Sequence, residues 1–134
     1  MIGICLIAPE QGLPHEVDQW VYLSWGLAPD GVWATDDAFG RTGLETVASL
    51  ADLPAADIVI VQPLSGKHVQ GTEPLGPYSH PDSAIYVFGA SNYNMTTDDI
   101  SGVAIHSKVY IPGEIDFHAP IAGAMVLYDR VSKV

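Results

Sequence analysis

Three short apolar runs in this chain do not alternate: Ile2 to Ala8, Asp57 to Val61 and Ala84 to Phe88. A strand written this way has no polar face to offer water. It must be covered on both sides, as the central strands of a parallel sheet are. Proline follows the first run at Pro9, and Gly89 ends the third. Between the first two runs, His15 to Leu27 carries Val17, Trp20, Val21, Ser24 and Leu27 near helical spacing, with Glu16, Asp18 and Gln19 between them. That spacing predicts an amphipathic helix closed by Ala28-Pro29-Asp30-Gly31. Gly31 to Thr35 then reads as a short strand. Strand, helix and strand within about 35 residues is the βαβ unit of a parallel sheet.

Further along, Arg41 to Ala51 reads as a short helix closed by Leu53-Pro54. Leu64 to Pro81 is crowded with Gly, Pro and polar residues and reads as a long surface connection, with room for a short helix. Lys108 to Ile111 is a further strand. Pro120 suits the first turn of a helix, for which Ile121, Met125, Leu127 and Tyr128 would supply the apolar face. No linker, repeat or low-complexity tract divides the sequence, so residues 1–134 are read as one α/β domain: a mostly parallel sheet flanked by helices. The tryptophans Trp20, Trp25 and Trp33 are expected in core or dimer packing rather than in base stacking.

Charge narrows the partners. The formal net charge is −11, and protonating all five histidines would bring it only to −6. Five Lys and Arg residues (Arg41, Lys67, Lys108, Arg130 and Lys133) are spread along the chain without a basic stripe. Tight binding to nucleic acid normally needs clustered cations. Any RNA contact therefore requires a groove assembled by folding or by a second subunit. Cys5 is the single cysteine, which excludes an internal disulfide framework and fits a reducing compartment. Met1 to Ala8 lacks a basic flank and is too short for a signal peptide or a membrane span. A soluble cytoplasmic protein is expected.

In parallel α/β sheets, ligands sit at the carboxyl ends of strands. That draws attention to Gly89–Met95 and Gly113–Ala119, each of which follows a strand. Within the second, His118 beside Asp116 is a candidate general base backed by a carboxylate; the bland alternative is a pair that caps the following helix. Glu114 and Asp116 place negative charge near that helix start, which discourages phosphate and tolerates a cation. Gly89-Ala90-Ser91-Asn92-Tyr93 comes near a nucleophile elbow but lacks its last glycine. A hydrolase using Ser91 with His118 and Asp116 is therefore a third possibility. His15, His68, His80, His106 and His118 show no metal-ligand spacing, and Ser65-Gly66-Lys67-His68 does not make a phosphate-binding loop.

The order of these pieces is more specific than any one of them. A strand ends in Phe88-Gly89, a later strand ends in Ile111-Pro112-Gly113, and a helix reads Ala122-Gly123-Ala124-Met125-Val126-Leu127-Tyr128-Asp129. This order resembles the SpoU-like branch of the SPOUT methyltransferases. The family pattern runs strand–Gly-Asn-Glu, then Ile-Pro-Met, then Ser-Leu-Asn-Val-Ser-x-Ala and an Ala-rich helix ending in Leu-Tyr-Glu. The resemblance implies a C-terminal trefoil knot, a pocket for S-adenosylmethionine and a homodimer joined through the C-terminal knot and helix. Its cofactor positions fall on Phe88, Gly89, Ala90, Ile111, Pro112, Gly113, His118 and Ile121. The implied activity is methyl transfer to RNA, of the ribose 2′-hydroxyl type, in tRNA or rRNA. Scaffold positions agree with the family and chemical ones depart from it. Ala90-Ser91 replaces Asn-Glu, Asp116-Phe117-His118 replaces Ser-Leu-Asn, and Pro120 replaces the later serine. The family's catalytic arginine would fall near Trp20, and no arginine occurs between Met1 and Gly40. The competing reading is thus an inactive dimeric binding or regulatory module on the same fold. A pocket filled by Phe117 or Met95 would favour that module.

Overall fold

The computed structural model describes residues 1–63, 71–91, 93–114 and 117–133. Asp116, and residues 64–70 of the expected long connection, lie outside them. Among the described residues the elements in chain order are β1 (Ile2–Ile7), α1 (Pro14–Leu27), β2 (Val32–Ala34), β3 (Glu45–Thr46), β4 (Asp57–Gln62), β5 (Thr72–Pro74), β6 (Ala84–Gly89), β7 (Ser107–Tyr110) and α2 (Ala119–Ser132). The strands form one sheet in the order β3-β2-β1-β6-β4-β7-β5, and every pairing is parallel.

The unbroken apolar runs became the middle of that sheet. In β6, Ala84 to Phe88 are all buried: β1 and β4 pair with its two edges, and packing covers both of its faces. Alternate residues serve the two faces. Ile4, Leu6, Val59, Val61, Tyr86 and Phe88 join one core cluster with Val17 and Trp20 of α1 and Val126 and Leu127 of α2. Cys5, Ile7, Ile58, Ile60, Ile85 and Val87 join a second cluster with Trp33, Val47 and Leu50. Both helices therefore lie on one face. The other face is covered by irregular chain around residues 47–56 and 93–105, whose Leu53, Tyr93, Met95, Ile100 and Val103 pack against it. The expectation of flanking helices holds for one side only. Burial of this second face raises the Cys5 thiol pKa to about 12, so this cysteine is an inert core residue.

Two sequence expectations are corrected and one element is added. Arg41 to Ala51 is not a helix: it holds the short edge strand β3, beside β2, and a 3-10 turn at Leu50–Asp52. Gly40 and Gly43 take φ values of 65° and 85°, which interrupt a right-handed helix at its start. The indole N–H of Trp33 donates to Glu45 Oε2 at 2.8 Å, holding the edge in place. Within the described part of the connection before Pro81 lies a strand, β5, that the sequence did not suggest; as an edge strand it tolerates Pro74. Finally, the buried stripe of α2 is Pro120, Gly123, Val126 and Leu127. Ile121, Met125 and Tyr128 face outward, with 52%, 38% and 65% exposure. Among the tryptophans, Trp20 and Trp33 are core residues, while Trp25 is exposed beside Tyr22.

Helix–helix packing is set by one ring. Trp20 meets Phe88 with ring centroids 4.5 Å apart. A Cβ on Gly123 would lie 2.2 Å from Trp20 Cζ3, so only glycine admits the indole there. The far end of α2 is tied down by polar contacts. His80 bridges the Tyr86 hydroxyl, 2.8 Å from Nδ1, and the Asp129 carboxylate, 2.7 Å from Nε2. Arg130 donates to the carbonyls of Pro81 and Asp82. Lys133 Nζ donates to the carbonyls of Leu75, Gly76 and Tyr78, each at 2.9 Å, and pairs with Asp129. Two of the five cations are thus spent inside the fold.

Candidate functional site

A cavity of about 330 Å³ opens at the carboxyl ends of β4 and β6, beneath the start of α2. The strand order explains its position. The chain leaves β1 toward β2 and β3, returns past it to β4, and later inserts β6 into the gap. Crevices at such reversals are where open α/β sheets take ligands. Gln62, Phe88, Gly89, Ala90 and Ser91 form the strand side of the wall, and Phe117, His118, Ala119 and Ala122 the helix side.

The outer wall is the turn Tyr93-Asn94-Met95. It is braced by Asp99, which accepts from the Tyr93 hydroxyl and the Thr96 N–H, both at 2.7 Å. Burial works to raise the Asp99 pKa, but these bonds outweigh it and leave it lowered. The hydrogen bond to Asp99 raises the Tyr93 pKa, keeping its hydroxyl protonated as a donor. Gly89 suits this turn: an added Cβ would lie 3.2 Å from both Met95 Cγ and the Tyr93 carbonyl oxygen, a tight contact that would push the turn back by a few tenths of an ångström. Its missing side chain makes room for the returning loop.

Phe88, Gly89, Ala90, Ser91 and His118, all positions singled out in the sequence, line the cavity. Ile111, Pro112, Gly113 and Ile121 are not on its described lining. Ile111 packs against the helix-side core, and Ile121 is on the outer face of α2. Ser91 has a definite task. Its hydroxyl accepts the Ala119 N–H at 3.1 Å and so caps α2 from 28 residues away. No hydrogen bond joins Ser91 to His118 among the described residues. His118 is the N-cap residue of α2, but its side chain makes no cap bond; the imidazole is exposed at the cavity mouth. Trp20 lies under the Gly89–Ala90 segment in the core, at 2% exposure. Met95 and Phe117 stand on the wall without filling the cavity.

Gln62 was missed in the sequence, although it carried a usable signal as the first polar residue after the β4 run. Asn94 lies within the Gly89–Met95 segment but was not singled out, because its place on the wall depends on how the turn after β6 folds back. Elsewhere, the carboxylates of Glu10, Asp36 and Asp37 lie within 4.8 Å of one another. A hydrogen bond with Asp37 raises the Glu10 pKa; Asp36 accepts the backbone N–H groups of Glu10 and Ala38, and Asp37 that of Phe39.

No protein-family model matches the chain, and no curated protein matches it. Solved structures do. The chain superimposes on an RNA methyltransferase-like protein of the TrmH family from Porphyromonas gingivalis with a TM-score of 0.68 at 15% identity; the match covers 99% of this chain and 61% of that one. It superimposes on TrmJ from Z. mobilis with a TM-score of 0.69 at 11% identity, covering 98% of this chain and 69% of that one. The chain thus spans less than two thirds of the length of the first of these proteins. The structural likeness expected from the order of its motifs is present, and the chain has the α/β fold of the TrmH and TrmJ proteins.

Proposed function

We propose that this protein is an S-adenosylmethionine-dependent methyltransferase of the SPOUT kind, acting on RNA at a ribose 2′-hydroxyl, in the cytoplasm. The observation that carries the reading is the open cavity at the carboxyl ends of β4 and β6, in a chain with this fold. Its volume falls within the range of about 300–1,000 Å³ usual for small-molecule sites. The wall also suits an adenosine: Phe88 and Met95 offer apolar surface, and Gln62, Asn94 and the backbone near Gly89 offer hydrogen-bonding groups. The cofactor, when bound, supplies an electrophilic methyl group. The chain's own residues bind and orient it and keep the acceptor in line. His118, at the cavity mouth, is positioned to take the acceptor's proton, with Asp116 as its backing carboxylate; Ser91 fixes the helix start that carries His118. The reading includes a trefoil-knotted C-terminal segment and a homodimer through the exposed stripe Ile121, Met125 and Tyr128. A second subunit would have to complete any cationic groove for RNA.

A second reading is favoured by Trp20. The catalytic arginine of the family has no counterpart on the described lining, and the indole at its place is committed to packing against Phe88 and Gly123. That is what an inactive binding module built on the same fold would look like. Calorimetric titration with S-adenosylmethionine tests the first reading. One saturable site per subunit is expected. Absence of binding at millimolar ligand would remove the cofactor reading and leave the module.

A further inference from the structure

Glu16 has no task in the mechanism above, and its surroundings are unusual for a carboxylate. It lies in the first turn of α1 and is only 7% exposed. Among the described residues, no Lys, Arg or His forms an ion pair with it, and its carboxylate accepts no hydrogen bond. Its oxygens keep some contact with solvent, since Thr72 Oγ1 is the one fully buried side-chain polar atom without a partner among the described residues, and the positive end of α1 favours its charge.

The carboxylate points at the rim of the candidate site. A methyl group built on Gly12 would lie 3.1 Å from Glu16 Oε2 and 3.3 Å from Ala90 Cβ, so the carboxylate and Ala90 flank the same small space. A cleft of about 10 Å³, roughly enough for one water, has Glu16, Trp20, Gly89 and Ala90 on its wall. Gly89 and Ala90 are also wall residues of the large cavity. The described lining of that cavity contains no Asp, Glu, Lys or Arg. Among the residues around either space, Glu16 is the one carboxylate. A positive charge on a ligand in the cavity would find there the one carboxylate that shares wall residues with it, Gly89 and Ala90.

We propose that Glu16 is the anionic counter-group for the positively charged sulfur of the cofactor, giving the site a preference for a sulfonium ligand over the neutral thioether. This rests on the cofactor reading above. The two natural probes are well matched. S-adenosylmethionine and S-adenosylhomocysteine carry the same adenosine and the same zwitterionic amino-acid group; the methionine form adds a methyl group and the charge on sulfur.

The test is calorimetric titration of both ligands into the full chain and into Glu16→Gln, with thermal melting as a fold control. The unaltered protein is expected to favour S-adenosylmethionine by roughly tenfold. In Glu16→Gln the ratio should fall to about one, with affinity for S-adenosylhomocysteine unchanged. Should that variant not fold, Glu16→Met, similar in length and uncharged, takes its place. Equal binding of the two ligands by the unaltered protein, or the same ratio in the variant, overturns the role of Glu16 and leaves the cofactor site standing. Failure of either ligand to bind the unaltered protein overturns both.

Discussion

His80 shows how a single residue couples this fold to pH. Its ring is buried between Tyr86 and Asp129. Burial lowers its pKa from the ordinary 6.5, despite the hydrogen bond to Asp129, which acts the other way. Burial also works to raise the Asp129 pKa, but the bonds from Lys133 and His80 outweigh it and leave it lowered. Both signs lead to loss of stability in acid. As pH falls through 6.5, the unfolded chain takes up the His80 proton before the folded chain does; the Asp129 contribution goes as pH falls below the usual carboxylate range. The urea midpoint is therefore expected to drop between pH 7.5 and 5.5. His80→Gln should lower it at pH 7.5 and flatten that slope. A slope unchanged in His80→Gln would show that another group is responsible. Trp20 belongs to the same scale. Trp20→Ala removes the ring between α1, α2 and β6 and is expected to cost about 3–5 kcal/mol in urea unfolding.

At the scale of elements, α1 and α2 share a contact designed around an absence. Gly123 in the middle of a helix sacrifices helix propensity, and the space its missing side chain leaves holds the Trp20 ring. Gly123→Ala should therefore destabilise the protein by roughly 1–3 kcal/mol through overpacking, although alanine is the better helix former. Pairing it with Trp20→Phe should recover part of that loss, and the two changes should be non-additive. Strict additivity in denaturation measurements would mean the helices meet elsewhere. Sequence periodicity placed both helices well, but of the apolar face it chose for α2 only Leu127 is buried. Ile121, Met125 and Tyr128 are the larger apolar residues, yet Gly123 and Val126 face the sheet. Size and hydrophobicity alone do not reveal which stripe a neighbouring indole requires.

For the whole molecule, the exposed residues of α2 (Ile121, Met125, Tyr128 and Val131) lie beside an α1 that exposes Tyr22 and Trp25. So much apolar surface on neighbouring helices is expected to be covered by a second copy. Light scattering at micromolar concentration should give a dimer, and Tyr128→Glu should give monomers with an unchanged circular dichroism spectrum. A monomeric unaltered protein would count against the dimer and against an RNA groove built from two subunits. The charge of −11 makes that groove the hardest part of the RNA reading, since Arg130 and Lys133 are already occupied within the fold.

The sequence by itself determined the parallel sheet, because β1, β4 and β6 are written as runs that only two-sided burial can satisfy. It also determined α1 and α2, and it drew attention to Gly89–Met95 and Gly113–Ala119, parts of which line the cavity, because strand ends and helix starts leave local marks. It could not place β3 and β5, edge strands of two and three residues whose pairing comes from neighbours far along the chain. Nor could it show that Ser91 caps α2, that Gly89 makes room for Met95, or that Glu16 is buried beside Ala90. Each is a contact between segments 6 to 74 residues apart. The fold-back of the turn after β6 makes the contact between near neighbours, Gly89 and Met95, and the order of strands in the sheet makes the long-range ones.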